Sequence, residues 1–327
     1  MKATSLLTGW TCHHLGDTAP GKPVTLPHDA MLAEPRTALS AGGTNTGWYE
    51  GYDYEYRRTL TVPENALADT HILEFEGVYH NAEVWLNGQK AAFRPYGYTN
   101  FYVDCAPYLH AGKNELRVIA RNADQPNSRW YSGAGIYRPV QLWTARGAHI
   151  ALNGVKIRTL SLDPAVVEVR VKTTAPGTVR LMVDDLPAVQ QESDGEAVFT
   201  LTLDNARLWT PETPNLYTCR VSFADDEVTE TFGVRKVEWG TDGFLLNGKR
   251  YIIQGACIHH DNGLLGAVCD PDAVARKVRL LKENGYNAIR SAHNPCSKAL
   301  LTECDRQGML VMDEYTDHWY IHKTEHD

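Results

Sequence analysis

Between Tyr251 and Glu314 three apolar runs, YIIQGACIHH, NAIRSAHNP and GMLVMDE, each end in polar residues and are separated by two stretches of helical period. That order predicts β-α-β-α-β. The first helix has Asp270 as N-cap, Pro271 at its first position, Val274, Val278 and Leu281 on one stripe, and Gly285 as its stop. The second is predicted to start near Ser297, just past Pro295, to turn Leu300, Leu301 and Cys304 inward, and to end at Gly308. Residues 1–146 follow a different rhythm. Short alternating runs such as YDYEYRRTLTV, HILEFEGV, AEVWLNGQKAAF and NELRVIARN, punctuated by Gly, Pro and Asn, predict an antiparallel sandwich or jelly roll with no helix. Asn87-Gly88 marks a type I′ hairpin within it. Residues 147–236 hold a second set of strands (VKIRTL, VVEVRVKT, TVRLMV, AVFTLTL, YTCRVSF, VTETFGV) at the spacing of a small immunoglobulin-like sandwich, without a Cys-Trp-Cys pattern. A linker with another hairpin, Asn247-Gly248, leads into the β/α part, 237–327.

Parallel strands joined by single helices collect functional groups at their carboxyl ends. The first strand runs into His259, His260 and Asp261, the second into Arg290, Ser291, His293 and Asn294, and the third into Asp313 and Glu314. A lone histidine or arginine in such a place is usually a satisfied structural group. Three polar strand ends on one face point instead to a binding site.

Composition narrows the chemistry. With 327 residues, 43% hydrophobic and 22% charged, the chain has room for two or three folded domains. A net charge of -8 argues against nucleic-acid and anionic-membrane partners and suits small neutral or polar ligands. The N-terminal MKATSLLTGWTCHH reads as neither a secretory signal nor an anchor, and no segment has the length of an apolar membrane span. Seven scattered cysteines without a CxxC pair suit free thiols in a reducing cytosol, so a cytoplasmic location is expected. Cys257 near His259 and His260 is read as a strand thiol, and no metal site is assigned. Metal hydrolases on a barrel want His-x-His after the first strand, whereas His259 and His260 are adjacent and face opposite ways.

The run NGK-x5-G-x3-HHD, the stretch KENGYNAIRSAHNP and CDRQGMLVMDE together resemble the start of the (β/α)8 barrel of glycoside hydrolase family 2, the β-galactosidase, β-glucuronidase and β-mannosidase group, with the strongest likeness to bacterial β-galactosidases. Gly9-Trp10, LPHD at 26–29, WLNG at 85–88 and RWYSGAGIYRPV at 129–140 resemble the family's jelly-roll sugar-binding domain, and RLWTPETPNLYTCRV its immunoglobulin-like domain. The resemblance implies retaining hydrolysis of a terminal β-glycoside through a glycosyl-enzyme intermediate, which needs two carboxyl groups about 5 Å apart. In the family these follow the fourth and seventh barrel strands, and the present residues reach only the third. Neither catalytic glutamate is expected here, and the chain alone is expected to be inactive. The resemblance assigns His259 to holding the sugar, His293 to its hydroxyls, and Arg290 to supporting the catalytic carboxylates. It makes Asp313 and Glu314 strand-end framework, and Asn127 and Arg129, with Asp124 behind them, pocket residues beside Trp130 and Tyr131. No cofactor is implied. The divalent cation of some members is in doubt, because His318 stands where a ligating glutamate is expected, in a segment whose Tyr315 and Thr316 also depart from the pattern. A three-strand βαβαβ piece exposes an apolar edge. Residues 251–327 are therefore expected to be poorly stable alone, and a second chain carrying the missing strands, or a homo-oligomer, is the expected partner besides carbohydrate. The competing reading is a non-catalytic carbohydrate-binding module.

Overall fold

The computed structural model describes residues 1–316, 324 and 326. The N-terminal part is an antiparallel sandwich. Its larger sheet orders Lys22–Val24, Trp10–His14, Tyr54–Val62, Gly112–Ala120, Ala82–Leu86 and Gln89–Arg94, and its smaller sheet orders Lys2–Ser5, Val140–Ala145, Thr70–Phe75 and Phe101–Asp104. Period-two alternation does the packing. In Tyr54–Val62 the side chains of Tyr54, Tyr56 and Leu60 are buried in one core with Trp10, Phe75 and Leu116, and Val62 is buried too, while Arg57, Thr59 and Thr61 face out. The expected absence of helix holds among the described residues of this part, apart from short 3-10 turns. Asn87 and Gly88 both have positive φ, at 50° and 78°, which is the backbone that a type I′ turn requires.

Two further sheets form the second sandwich: Ile150–Leu162, Ala165–Thr173 and Glu196–Thr202 against Val189–Ser193, Gly177–Val183, Tyr217–Phe223 and Asp226–Phe232. Val167, Val169, Val171, Val179, Leu181 and Val221 fill the space between them. A three-stranded meander, Val237–Gly240, Gly243–Leu246 and Lys249–Arg250, precedes the β/α part and carries Asn247 and Gly248 at φ of 55° and 74°.

The last part holds three parallel strands, β1 (Gly255–Ile258), β2 (Ala288–Ser291) and β3 (Leu310–Asp313), with helices α1 (Pro271–Glu283) and α2 (Lys298–Gln307) between them. The caps act as the sequence predicts. Asp270 accepts from the Ala273 N–H at 2.9 Å and Ser297 from the Leu300 N–H at 3.2 Å. Ile258, Ile289 and Val311 pack on Val274, Val278, Leu300 and Cys304. Two expectations fail. The run 251–254 is not strand, and Ile252 and Ile253 are 72% and 44% exposed. Leu301 is 40% exposed rather than inward, because it lies on the flank of α2 beside the unpaired edge of β3 and lines a groove of about 520 Å³ with Trp239, Ile253, Leu310 and Met312.

The three parts are sewn together by buried polar contacts. Trp209, fully buried, donates through Nε1 to the Asp305 carbonyl at 2.8 Å. The Lys298 N–H donates to Glu76 at 2.7 Å, its ammonium to Glu74 at 2.5 Å, and the buried Arg138 donates to the carbonyls of Tyr98 and Pro295, each at 2.8 Å. The Trp209 bond ties the second sandwich to α2, and those of Lys298 and Arg138 hold the jelly roll against the segment that follows β2.

Candidate functional site

At the end of β2, Arg290 reaches the Glu314 carboxylate just past β3, with Nε to Oε1 at 2.6 Å and Nη2 on the same oxygen. His293 approaches Oε2 of Glu314 at 2.9 Å through Nδ1. A carboxylate only accepts, so this contact places the proton on Nδ1 and leaves Nε2 for a ligand hydroxyl. Partial burial pushes the Glu314 carboxyl up, but Arg290 and His293 outweigh it and hold the group below the usual carboxylate range. Glu314 in turn raises the Arg290 guanidinium above its ordinary value. The cluster is a charged donor array with its acid already spoken for.

His259, past β1, donates from Nδ1 to the Ala292 carbonyl at 2.6 Å and stacks on Trp130, with ring centroids 5.3 Å apart and planes 8° from parallel. Its ring lies 5.7 Å from that of His293, and Trp130 lies 5.4 Å from His293. The jelly-roll loop thus brings an indole face against two strand-end imidazoles, a surface that offers one apolar ring face beside convergent polar atoms. Trp130 is itself held by Nε1 donating to Tyr98 at 3.2 Å.

The adjacent His260 points the other way. It is half-buried against Tyr98 and Tyr137, donates to the Ser132 carbonyl at 3.0 Å, and is pushed down to about 4 by desolvation. Asp313 also leaves the cleft and accepts from the Cys296 N–H at 2.9 Å. Asn127 does not reach the pocket as expected. It is 6% exposed, and its amide donates to Asn122 Oδ1 at 2.9 Å and the Asp124 carbonyl at 2.8 Å while its Oδ1 accepts from Tyr79 at 3.1 Å, so it braces the loop from behind. Arg129 is exposed and sets its guanidinium 5.6 Å from the centre of the Trp130 ring. Asp124 is exposed and enters this network through its carbonyl. His318 lies outside the described residues. Among the described residues no group of three or more His, Cys, Asp or Glu is arranged to hold a metal ion.

One organising residue was not singled out from the sequence, although it closes the LPHD motif. Asp29, 2% exposed, accepts from the N–H groups of Met31, Ala134 and Ala267 and from the Tyr131 hydroxyl, at 3.1, 3.0, 2.9 and 2.7 Å. It ties the loop bearing Trp130 to the loop that follows β1. Gly133 and Gly266 make room for it: a Cβ would fall 2.7 Å from its Oδ2 at Gly133 and 2.3 Å at Gly266, and both residues have positive φ.

The arrangement offers a ligand an indole face beside the imidazoles of His259 and His293 and the Arg290 guanidinium. Among the described strand-end carboxylates, Glu314 is engaged by Arg290 and His293, and Asp313 accepts a backbone N–H.

Known proteins match along most of the chain. Residues 25–147 match the galactose-binding domain-like model of glycosyl hydrolase family 2, residues 149–235 the model named for family 2 itself, and residues 237–321 its TIM barrel domain. The β-galactosidase BoGH2A of Bacteroides ovatus is 38% identical across 96% of this chain, which spans 41% of that protein. A solved family 2 member from Bacteroides cellulosilyticus is 32% identical with a TM-score of 0.88, covering 98% of this chain and 47% of its own. A solved β-glycosidase from Bacteroides vulgatus is 30% identical with a TM-score of 0.90, covering 100% and 46%. With three models of one family matching in series, each on its own folded part, the chain belongs to glycoside hydrolase family 2.

Proposed function

We propose that this chain supplies the sugar-binding half of a retaining β-glycosidase that acts on terminal β-galactosides or related β-glycosides, and that these 327 residues alone hydrolyse nothing. The observation that carries the reading is the juxtaposition of Trp130 with His259 and His293 beside the Arg290–Glu314 pair. It offers a stacking face for a pyranose ring and hydrogen-bonding groups for its hydroxyls. In this reading His259 and His293 contact the sugar, and Arg290, held by Glu314, orients a carboxylate brought by a later barrel strand. Relatives carry both β-galactosidase and β-glucuronidase names, and the strong match to a β-galactosidase favours a galactoside. The partner is the remaining barrel, which would cover Leu310, Met312 and the open edge of β3.

The test is hydrolysis of a panel of chromogenic β-glycosides by the purified chain, with and without a polypeptide carrying the missing barrel strands. Turnover only in the mixture supports the proposal and identifies the sugar. Turnover by the chain alone refutes the carboxylate argument, and saturable sugar binding without turnover in either case favours a carbohydrate-binding module.

A further inference from the structure

Arg58 breaks the alternation of its strand. It occupies a core-facing position between Tyr56 and Leu60, 0% and 5% exposed, where the pattern calls for an apolar side chain. Its Nε and Nη1 are buried and have no hydrogen-bond partner among the described residues. Among the described residues no acid pairs with it. Glu115 is taken by Arg57 at 3.2 Å, Glu55 by Arg57 and Arg117, and Asp69 lies 3.9 Å from Arg146. The Trp10 ring lies 5.9 Å from the guanidinium carbon, within cation–π range. A partly buried cation with stranded donors is unfavourable, and its guanidinium is accordingly lowered by desolvation.

The surroundings are built around this head group. The register of Trp10–His14 with Tyr54–Val62 ends at Trp10 opposite Arg58, so beyond it the strand edge from Thr59 to Val62 is left open on that side. Two clefts meet there, and Arg58 and Thr59 line both. One, of about 430 Å³, is lined by Lys113, Thr11, Asn87 and the Arg57–Glu115 pair, and the other, of about 450 Å³, enters between the sheets over Leu60 and Leu142 with Asp69 and His71 on its wall. Each has the size of a small-molecule site. Gly9 gives the guanidinium its space: a Cβ there would stand 3.2 Å from Nη1, and its φ of +80° favours glycine.

We propose that this notch is a second ligand site, separate from the strand-end cleft, that binds an oxyanion carried on a sugar ring, either a uronate carboxylate or a sulfate ester. The ligand's oxygens supply the acceptors that Arg58 lacks, with Lys113 adding positive charge and the hydroxyls of Thr11 and Thr59 available to the ring hydroxyls. The proposal stands independently of the glycosidase reading, since it needs no reaction.

The test is thermal melting of the 327-residue chain with sodium glucuronate, glucose 6-sulfate, methyl β-galactoside and sodium chloride at matched ionic strength. Expected is a rise in melting temperature with one or both acidic sugars and none with chloride or at this site with the neutral sugar. A rise with glucuronate alone assigns a uronate site, and with the sulfate alone a sulfated-sugar site. Arg58→Leu should melt, ligand-free, no lower than the parent and lose the rise, whereas Trp130→Ala should keep it. Should Arg58→Leu fail to fold, the Arg58 Nε–H resonance of the parent chain serves instead and should shift on titration with the acidic sugar. No rise with either acidic sugar, an equal rise in chloride, a rise retained in Arg58→Leu or lost in Trp130→Ala, or an unmoved resonance overturns the proposal.

Discussion

Asp29 is the strongest point of leverage on the cleft, because one buried carboxylate holds two loops from different domains. Replacing it with alanine strands three backbone N–H groups and the Tyr131 hydroxyl. Hydrogen bonds to a charged group contribute about 1.5–3 kcal/mol each, and a buried donor left without an acceptor costs about 1–3 kcal/mol. The four effects do not add, since the loops around residues 131–134 and 266–268 can relax toward water, so the expected loss is roughly 3–6 kcal/mol. Asp29→Asn separates the contributions. Its remaining oxygen can keep Met31 and Ala134, the Tyr131 hydroxyl can reverse, and only the Ala267 N–H meets a donor, for an expected loss of about 1–3 kcal/mol. Urea denaturation followed by tryptophan fluorescence and circular dichroism measures both. An alanine variant within about 1 kcal/mol of the parent, or an asparagine variant as damaged as the alanine, refutes the clamp.

Two further outcomes follow from the ion pairs. In the mixture with the remaining barrel strands, Glu314→Gln releases Arg290 and His293, and the apparent affinity for the glycoside should fall about tenfold or more with little change in melting temperature; an unchanged KM counts against a binding role for this cluster. Burial pushes the Glu55 carboxyl up, but Arg57 and Arg117 outweigh it and hold it below its ordinary 4.5. Protons therefore bind the unfolded state more tightly, so the stabilisation is present above about pH 4.5 and is lost as the pH falls through the folded value. Melts between pH 7 and pH 3 should show that decline, and Arg117→Leu should flatten it.

Much of the local structure was legible because its causes are local. Asp270 and Ser297 cap their helices since a short acceptor before a helical run satisfies the first free N–H groups, whatever the rest of the molecule does. Asn-Gly turns the chain at 87–88 and 247–248 because both residues accept positive φ. The strand-end cluster was legible in kind, since parallel β/α order puts carboxyl ends on one face. Its detailed assignments were less so. His259 and His260 are neighbours in sequence and must face opposite ways, but only the packing of Tyr98 and Tyr137 decides that His260 is the one turned away from Trp130. Asn127 looks like a pocket residue by position and is consumed by Asn122, Asp124 and Tyr79, which lie elsewhere along the chain or fold back on it. Leu301 satisfies the helical stripe and is nevertheless exposed, because whether a stripe is covered depends on a neighbouring element.

The sequence by itself determined the order of three folded parts, the caps and hairpins within them, and the residue types gathered at the strand ends, all of which rest on interactions within a few residues or on a regular period. Tertiary structure alone decided that Trp130 stacks on His259, that Asp29 ties their loops together, and that Arg58 meets no acid among the described residues. Those contacts join residues up to 238 positions apart. Their energies depend on which groups share a buried volume, and adjacency in the chain carries no record of that.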